Sequence, residues 1–116
     1  MGNIKFSVEF SGGLQDLFGQ KKIPIPSDKN EDQIQLPKLL PGESLKLKHV
    51  IDGLAAKLKG RNAKLKLFVQ GDKGFYEVTP GILVLINDSD WELEGEYEYE
   101  IQSGDQVLFV STLHGG

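Results

Sequence analysis

The chain has 116 residues, 39 % apolar and 26 % charged, with a net charge of −4 and no cysteine. That is enough for one domain around one apolar core, and it excludes a disulfide scaffold, a cysteine-ligated metal and a thiol nucleophile. The negative charge argues against tight direct binding to nucleic acid, which needs clustered cations. The longest apolar run, residues 82–86, is far too short to span a bilayer, so no membrane association is expected.

Residues 4–10 alternate apolar and polar, the signature of a half-buried strand rather than of a signal peptide, and the expected address is cytoplasmic, with a nuclear pool left open. Ser11-Gly12-Gly13 breaks the strand, and residues 14–18 have room for one short helical turn before Gly19. Residues 22–26 alternate again, but Pro24 and Pro26 cannot donate ladder hydrogen bonds, which suits an edge strand. Residues 27–43 read as a long loop. Leu47, Val50, Ile51, Leu54, Ala55 and Leu58 then repeat at helical spacing on one face, with Gly60 as a stop. His49 falls off that stripe and reads as a solvated surface residue.

Residues 65–69 read as a short strand and residues 71–74 as a turn. Pro80-Gly81 introduces residues 82–86, apolar at every position, as a central strand. Residues 87–90 turn the chain, residues 91–94 read as a strand pairing back, and residues 106–111 form the last strand. Glu94, Glu96, Glu98 and Glu100 share one parity and read as a solvated strand edge. One main helix among strands with short connections is an α+β pattern: a mixed sheet with the helix packed on one face, in a single domain spanning residues 1–116.

Charge is unevenly spread. Residues 46–66 hold seven bases against Asp52, and residues 88–105 hold eight acids and no base. Two histidines, His49 and His114, offer no metal motif, and none of the 14 glycines falls in a phosphate-binding pattern. No catalytic residue and no metal or cofactor site is expected in this chain. The exception to this bland picture is the end of the sequence, where residues 107–110 run into Ser111-Thr112-Leu113-His114-Gly115-Gly116. Two residues without Cβ give a terminal carboxylate the slimmest approach to a narrow channel, such as one in which another protein adenylates it with ATP. Residues 112–116 are therefore expected to be a flexible tail.

Val8-Glu9-Phe10, Gly12-Gly13-Leu14, Phe18-Gly19 and above all the stretch from Pro80-Gly81-Ile82 to Gly116 carry a resemblance. Within that stretch stand Leu85-Ile86-Asn87-Asp88, Asp90-Trp91-Glu92-Leu93-Glu94-Gly95 and Ser111-Thr112-Leu113-His114-Gly115-Gly116. In these motifs the chain resembles the eukaryotic ubiquitin-related modifier family, sulfur carriers of tRNA thiolation. The resemblance implies a ubiquitin-like β-grasp fold. It also implies adenylation and thiocarboxylation of Gly116 by an ATP-using activating enzyme, with Thr112, Leu113, His114 and Gly115 as the recognised tail. The implied partners are that enzyme, a tRNA thiolase complex that receives the sulfur for the wobble uridine, and lysines of target proteins joined through isopeptide bonds. Two departures stand out: residues 27–43 are longer than usual, and residues 72–79 carry extra residues and place Thr79 where many members have Arg before Pro-Gly. The alternatives are a modifier acting mainly by conjugation, a molybdopterin- or thiamin-type sulfur carrier, and a non-covalent ubiquitin-like interaction domain.

Alternation in the last strand puts Val107 and Phe109 on one side and Leu108 and Val110 on the other. Both sides are apolar, and the larger Phe109 is expected in the core with Val107, leaving Leu108 and Val110 on the open face. Val84 is expected beside Leu108 and Val110 in a patch that docks the activating enzyme, unless residues 27–43 fold over it.

Overall fold

The computed structural model describes residues 4–71 and 76–112. The alternation of the first segment becomes β1 (Phe6–Ser11), whose Phe6, Val8 and Phe10 are buried. The chain continues through a short α1 (Leu14–Phe18) to β2 (Lys22–Ile25), antiparallel to β1 at the sheet edge with Pro24 opposite Ser7. An edge tolerates the missing donor, as the sequence anticipates. β5 (Ile82–Ile86), β6 (Ser89–Asp90) and β7 (Gln106–Ser111) complete a five-stranded mixed sheet in the order β2-β1-β7-β5-β6. β7 lies in the middle, parallel to β1 and antiparallel to β5. The residues of β3 (Val69–Gln70) and β4 (Glu77–Val78) form a separate two-stranded ribbon.

The stripe that announces the main helix is what α2 (Leu47–Lys57) buries. Leu47, Val50, Ile51, Leu54 and Ala55 have no exposed surface, and they cover one face of the sheet with Val8, Phe10, Val84, Val107 and Phe109. The fold is an α+β, ubiquitin-like β-grasp. At one end of the sheet the rings of Phe10, Phe18, Phe68 and Phe109 form a chain. Phe10 stacks on Phe18 at 4.2 Å, Phe18 meets Phe68 edge-on at 5.1 Å, and Phe68 meets Phe109 edge-on at 5.3 Å.

Several local expectations are corrected. Residues 65–69 are not a strand: α3 (Asn62–Phe68) occupies most of them, with Leu65 and Phe68 one helical turn apart and turned inward while Leu67 stays 58 % exposed. Residues 91–94 do not pair back either. Only Ser89–Asp90 does so, and two 3-10 turns follow, Trp91–Leu93 and Glu96–Glu98, so the glutamates do not line a strand edge. β5 is covered on one face only, and Leu83 is 49 % exposed. His49 is half-buried and structural. Its Nδ1 accepts the Lys46 backbone N–H at 2.9 Å at the start of α2, where helical amides lack intrahelical partners.

The long segment packs on the helix side. A Cβ on Gly53 would strike Ile34, so this part of the segment lies directly on α2. Lys57 Nζ secures it by donating to the carbonyls of Glu31 (2.7 Å) and Gln33 (3.0 Å). Residues 27–43 therefore leave the opposite face of the sheet uncovered. Among the described residues no helix is long and apolar enough to cross a membrane.

Candidate functional site

β7 delivers the end of the chain to the surface between two glycine turns. Ser111 pairs with Ile82, the first residue of β5, and Thr112 is then fastened to Gly81. Its amide donates to the Gly81 carbonyl at 2.8 Å, and its hydroxyl donates to the same oxygen at 2.5 Å. On the other side Gly12, at φ +70°, lies so close to Ser111 that a Cβ there would strike the Ser111 carbonyl oxygen. Gly12 supplies both the left-handed backbone and the empty space. Of the expected tail, Thr112 is thus held by the fold, while Leu113, His114, Gly115 and Gly116 lie outside the described residues.

The uncovered face beside this exit is apolar. Leu83 faces Val110 and Leu85 faces Leu108 across the β5–β7 ladder. Leu108 and Val110 are half-buried on this face, as alternation predicts, and Val107 and Phe109 lie in the core. Val84 does not belong to the patch. It pairs with Phe109 and is 1 % exposed, on the helix side. In an all-apolar strand nothing in the sequence marks which parity faces inward, and pairing with β7 decides it. The open patch is Leu83, Leu85, Leu108 and Val110, and the two leucines of β5 were missed for the same reason.

The basic and acidic segments meet at the start of α2, and only the later bases, from Lys57 on, lie towards the other end of the helix. Asn87 and Asp88, both at positive φ, turn the chain at the end of β5 remote from Thr112. There Asp105, 5 % exposed, accepts from Asn87 Nδ2 (2.9 Å), the Tyr99 hydroxyl (2.6 Å) and the Gln102 amide (2.7 Å). Burial, and then the bond to Asp105, push the Tyr99 phenol well above its usual range. Glu98 takes hydrogen bonds from Lys46 Nζ (2.8 Å) and Lys48 Nζ (3.0 Å), which hold its carboxyl down at about 2.

A groove of about 660 Å³ is lined by Phe6, Ile25, Leu36, Leu39 and Leu45 and opens at the start of β1, the end of that strand away from Gly12. Among the described residues no three His, Asp or Glu side chains gather as metal ligands.

Residues 5–116 match the family model described as Urm1 (Ubiquitin related modifier). The chain is 45 % identical over 114 residues to "Ubiquitin-related modifier 1" of Coccidioides immitis, covering 97 % of this chain and 88 % of that protein. It is 38 % identical over 117 residues to the protein of the same name from Saccharomyces cerevisiae, covering all of both. Among solved structures, that of Urm1 from Trypanosoma brucei superposes with a TM-score of 0.64 at 31 % identity, again over the whole of both chains.

Proposed function

The chain belongs to the Urm1 family of ubiquitin-related modifiers, sulfur carriers for tRNA thiolation and ubiquitin-like protein modifiers rather than enzymes, and from that premise we propose that its reactive group is the carboxylate of Gly116. Membership implies an E1-like activating enzyme as partner. The observation that carries the assignment of the group is the clasp of Thr112 on Gly81 at the end of the central strand. It fixes where the chain leaves the fold, and the four residues beyond it span at most about 14 Å when extended. That suffices to carry a carboxylate into a neighbouring protein while the folded body stays outside.

In this reading a Gly116 carboxylate oxygen attacks the α-phosphorus of ATP bound by the activating enzyme and pyrophosphate leaves. Sulfur delivered by the same enzyme at the sulfide level, or as a persulfide whose S–S bond a second thiol then cleaves to a disulfide, attacks the acyl carbon and displaces AMP, leaving a terminal thiocarboxylate. ATP is consumed by that enzyme and is not a cofactor of this chain. Leu113, His114 and Gly115 thread the channel, with Thr112 at its mouth. Leu83, Leu85, Leu108 and Val110 dock the enzyme, since a contiguous apolar patch on an uncovered sheet face is what a soluble domain keeps for a partner. The sulfur passes to a tRNA thiolase complex acting on the wobble uridine, and lysines of target proteins are the alternative acceptors. The cytosol is the compartment in which the family generally works.

Intact mass after incubation with ATP, a sulfur source and the activating enzyme tests the assignment. The expected result is the increment of one oxygen exchanged for sulfur, absent when Gly116 is deleted. An adenylate formed at the normal rate on the truncated chain overturns it.

A further inference from the structure

Charge is sorted along the axis of α2. At its first residue the Leu47 amide donates to the Tyr99 carbonyl at 2.8 Å, placing the acidic segment at this end. The two lysines here, Lys46 and Lys48, are both paired with Glu98. Beyond the other end stand Lys59, Arg61, Lys64 and Lys66, all exposed, and none of them forms an ion pair with a described residue. No acid occurs between Gly53 and Gly71. The acids on adjoining elements are Asp16, Glu31, Asp32 (buried) and Glu77, against six cations when Lys21 and Lys57 are counted.

This basic pole coincides with the exit of the tail. The Thr79 hydroxyl donates to the Lys66 carbonyl and its amide to the Phe68 carbonyl, each at 2.9 Å, and two residues later Gly81 holds Thr112. Arg61 lines a cleft with Leu17 and Phe18 of α1, the element that follows the Gly12–Ser111 contact. Asp88 and Asp105 lie a strand's length away, at the other end of β5 and β7, whereas the Tyr97 hydroxyl, between Glu96 and Glu98, accepts the Val78 amide at 2.9 Å and brings that part of the acidic segment beside β4.

We propose that this basic pole contacts the phosphate backbone of the tRNA during sulfur delivery and turns the tail towards the base to be thiolated. The inference rests on the assignment of Gly116 as the sulfur-bearing terminus. Charge complementarity selects the occupant: RNA carries a negative charge on every nucleotide, and it is the polyanion at which this family's sulfur arrives. The apolar patch is on the other face of the sheet, so the surfaces for activation and delivery are separate. With a net charge of −4 the carrier does not hold free RNA tightly. Its charge asymmetry instead orients it tail-first within the thiolase complex, acid end outward.

The test uses the full chain carrying Lys59→Glu, Arg61→Glu, Lys64→Glu and Lys66→Glu, with the activating enzyme, the thiolase complex and a tRNA bearing the wobble uridine. Thiocarboxylate formation is expected at the wild-type rate. Sulfur transfer from the preformed thiocarboxylate to tRNA should fall about tenfold at low ionic strength, and the gap should close as salt rises. The corresponding four-fold Gln variant, expected to be intermediate, serves if charge reversal lowers the melting temperature. Equal slowing of both steps would assign the pole to the activating enzyme and overturn the proposal, as would unchanged transfer. Because the chain has no cysteine, Lys64→Cys accepts a single photoreactive label. A tRNA adduct is expected, and an adduct with protein alone overturns the proposal. A wild-type chain that acquires no thiocarboxylate would bring down the Gly116 assignment and this inference with it. Normal wild-type thiolation with an indifferent charge-reversed variant defeats the inference only.

Discussion

Thr112 donates twice to one acceptor, the carbonyl oxygen of Gly81, through its amide and through its hydroxyl. Thr112→Val keeps the first bond and loses the second, at a cost of about 1 kcal/mol for a neutral hydrogen bond. The expected result is faster hydrogen exchange at the residue 112 amide and a several-fold lower kcat/KM for adenylation, with the melting temperature nearly unchanged. Unaltered exchange would show that the hydroxyl does not secure the exit.

Gly12 and Gly13 both adopt positive φ, but only Gly12 has Ser111 in the path of a Cβ. Gly13→Ala should carry backbone strain alone, about 1–2 kcal/mol. Gly12→Ala should cost about 1–3 kcal/mol more, because overpacking displaces Ser111. Denaturant unfolding of the pair measures the difference, and equal losses would contradict the close approach.

Leu83→Ser with Leu108→Ser removes two side chains of the uncovered patch. The half-saturating concentration of the carrier in adenylation should rise, and the melting temperature should move little because Leu83 is already half exposed. Val84→Ser, by contrast, places a hydroxyl in the core and should destabilise by about 1–3 kcal/mol. A folded Val84→Ser protein of wild-type stability would reverse the assignment of faces.

Glu98 is an acid-sensitive tie between the start of α2 and the segment carrying the glutamates. The Lys46 and Lys48 hydrogen bonds hold its carboxyl at about 2 against an ordinary 4.5. Folding therefore favours the carboxylate, and the stabilisation is present above pH 4.5 and lost as the pH falls towards 2. The melting-temperature difference between wild type and Glu98→Gln should be small, as for any exposed pair, fully developed at neutral pH and absent near pH 2. Salt should reduce it. A difference that grows on acidification would contradict the sign.

Leu54→Ala should cost about 2–5 kcal/mol, because that side chain has no exposed surface beneath the sheet. Lys64→Ala should stay within about 0.5 kcal/mol. Lys57→Ala should exceed Lys64→Ala, since its ammonium holds two carbonyls of the long segment. Equal values for the two lysines would show that this anchor contributes nothing.

What the sequence makes legible follows from periodicity. The alternation of β1 and the stripe of α2 each assign an inward face without tertiary information, while in β7, apolar at every position from 107 to 110, the size of Phe109 marks the inward parity. Val107, Phe109 and Leu54 are where these readings put them. Legibility ends where a pattern is degenerate. Leu65, Leu67 and Val69 alternate like a strand, yet Leu65 and Phe68 also satisfy a helix, and packing of Phe68 against Phe18 and Phe109 selects the helix. Residues 82–86 have no polar partner to mark a face, so Val84 could be placed only from its pairing with Phe109. The clasp at Gly81 joins residues 31 apart. The Pro80-Gly81 and Gly12-Gly13 pairs were visible as turns, but not as neighbours of the tail.

The middle place of β7 in the sheet has a consequence for biosynthesis. β1 and β5 touch the same strand from opposite sides and do not pair with each other. Until residues 106–111 have been translated and threaded between them, the earlier strands are two disconnected fragments, and Phe109 is missing from the ring cluster. Such long-range closure is a late and slow event in folding. A nascent chain halted before β7 would therefore expose unpaired strand edges and go to the degradation machinery instead of reaching the activating enzyme as a carrier without its terminus. The segment that presents the tail is the one that completes the sheet, so folding itself proofreads each carrier before it is charged.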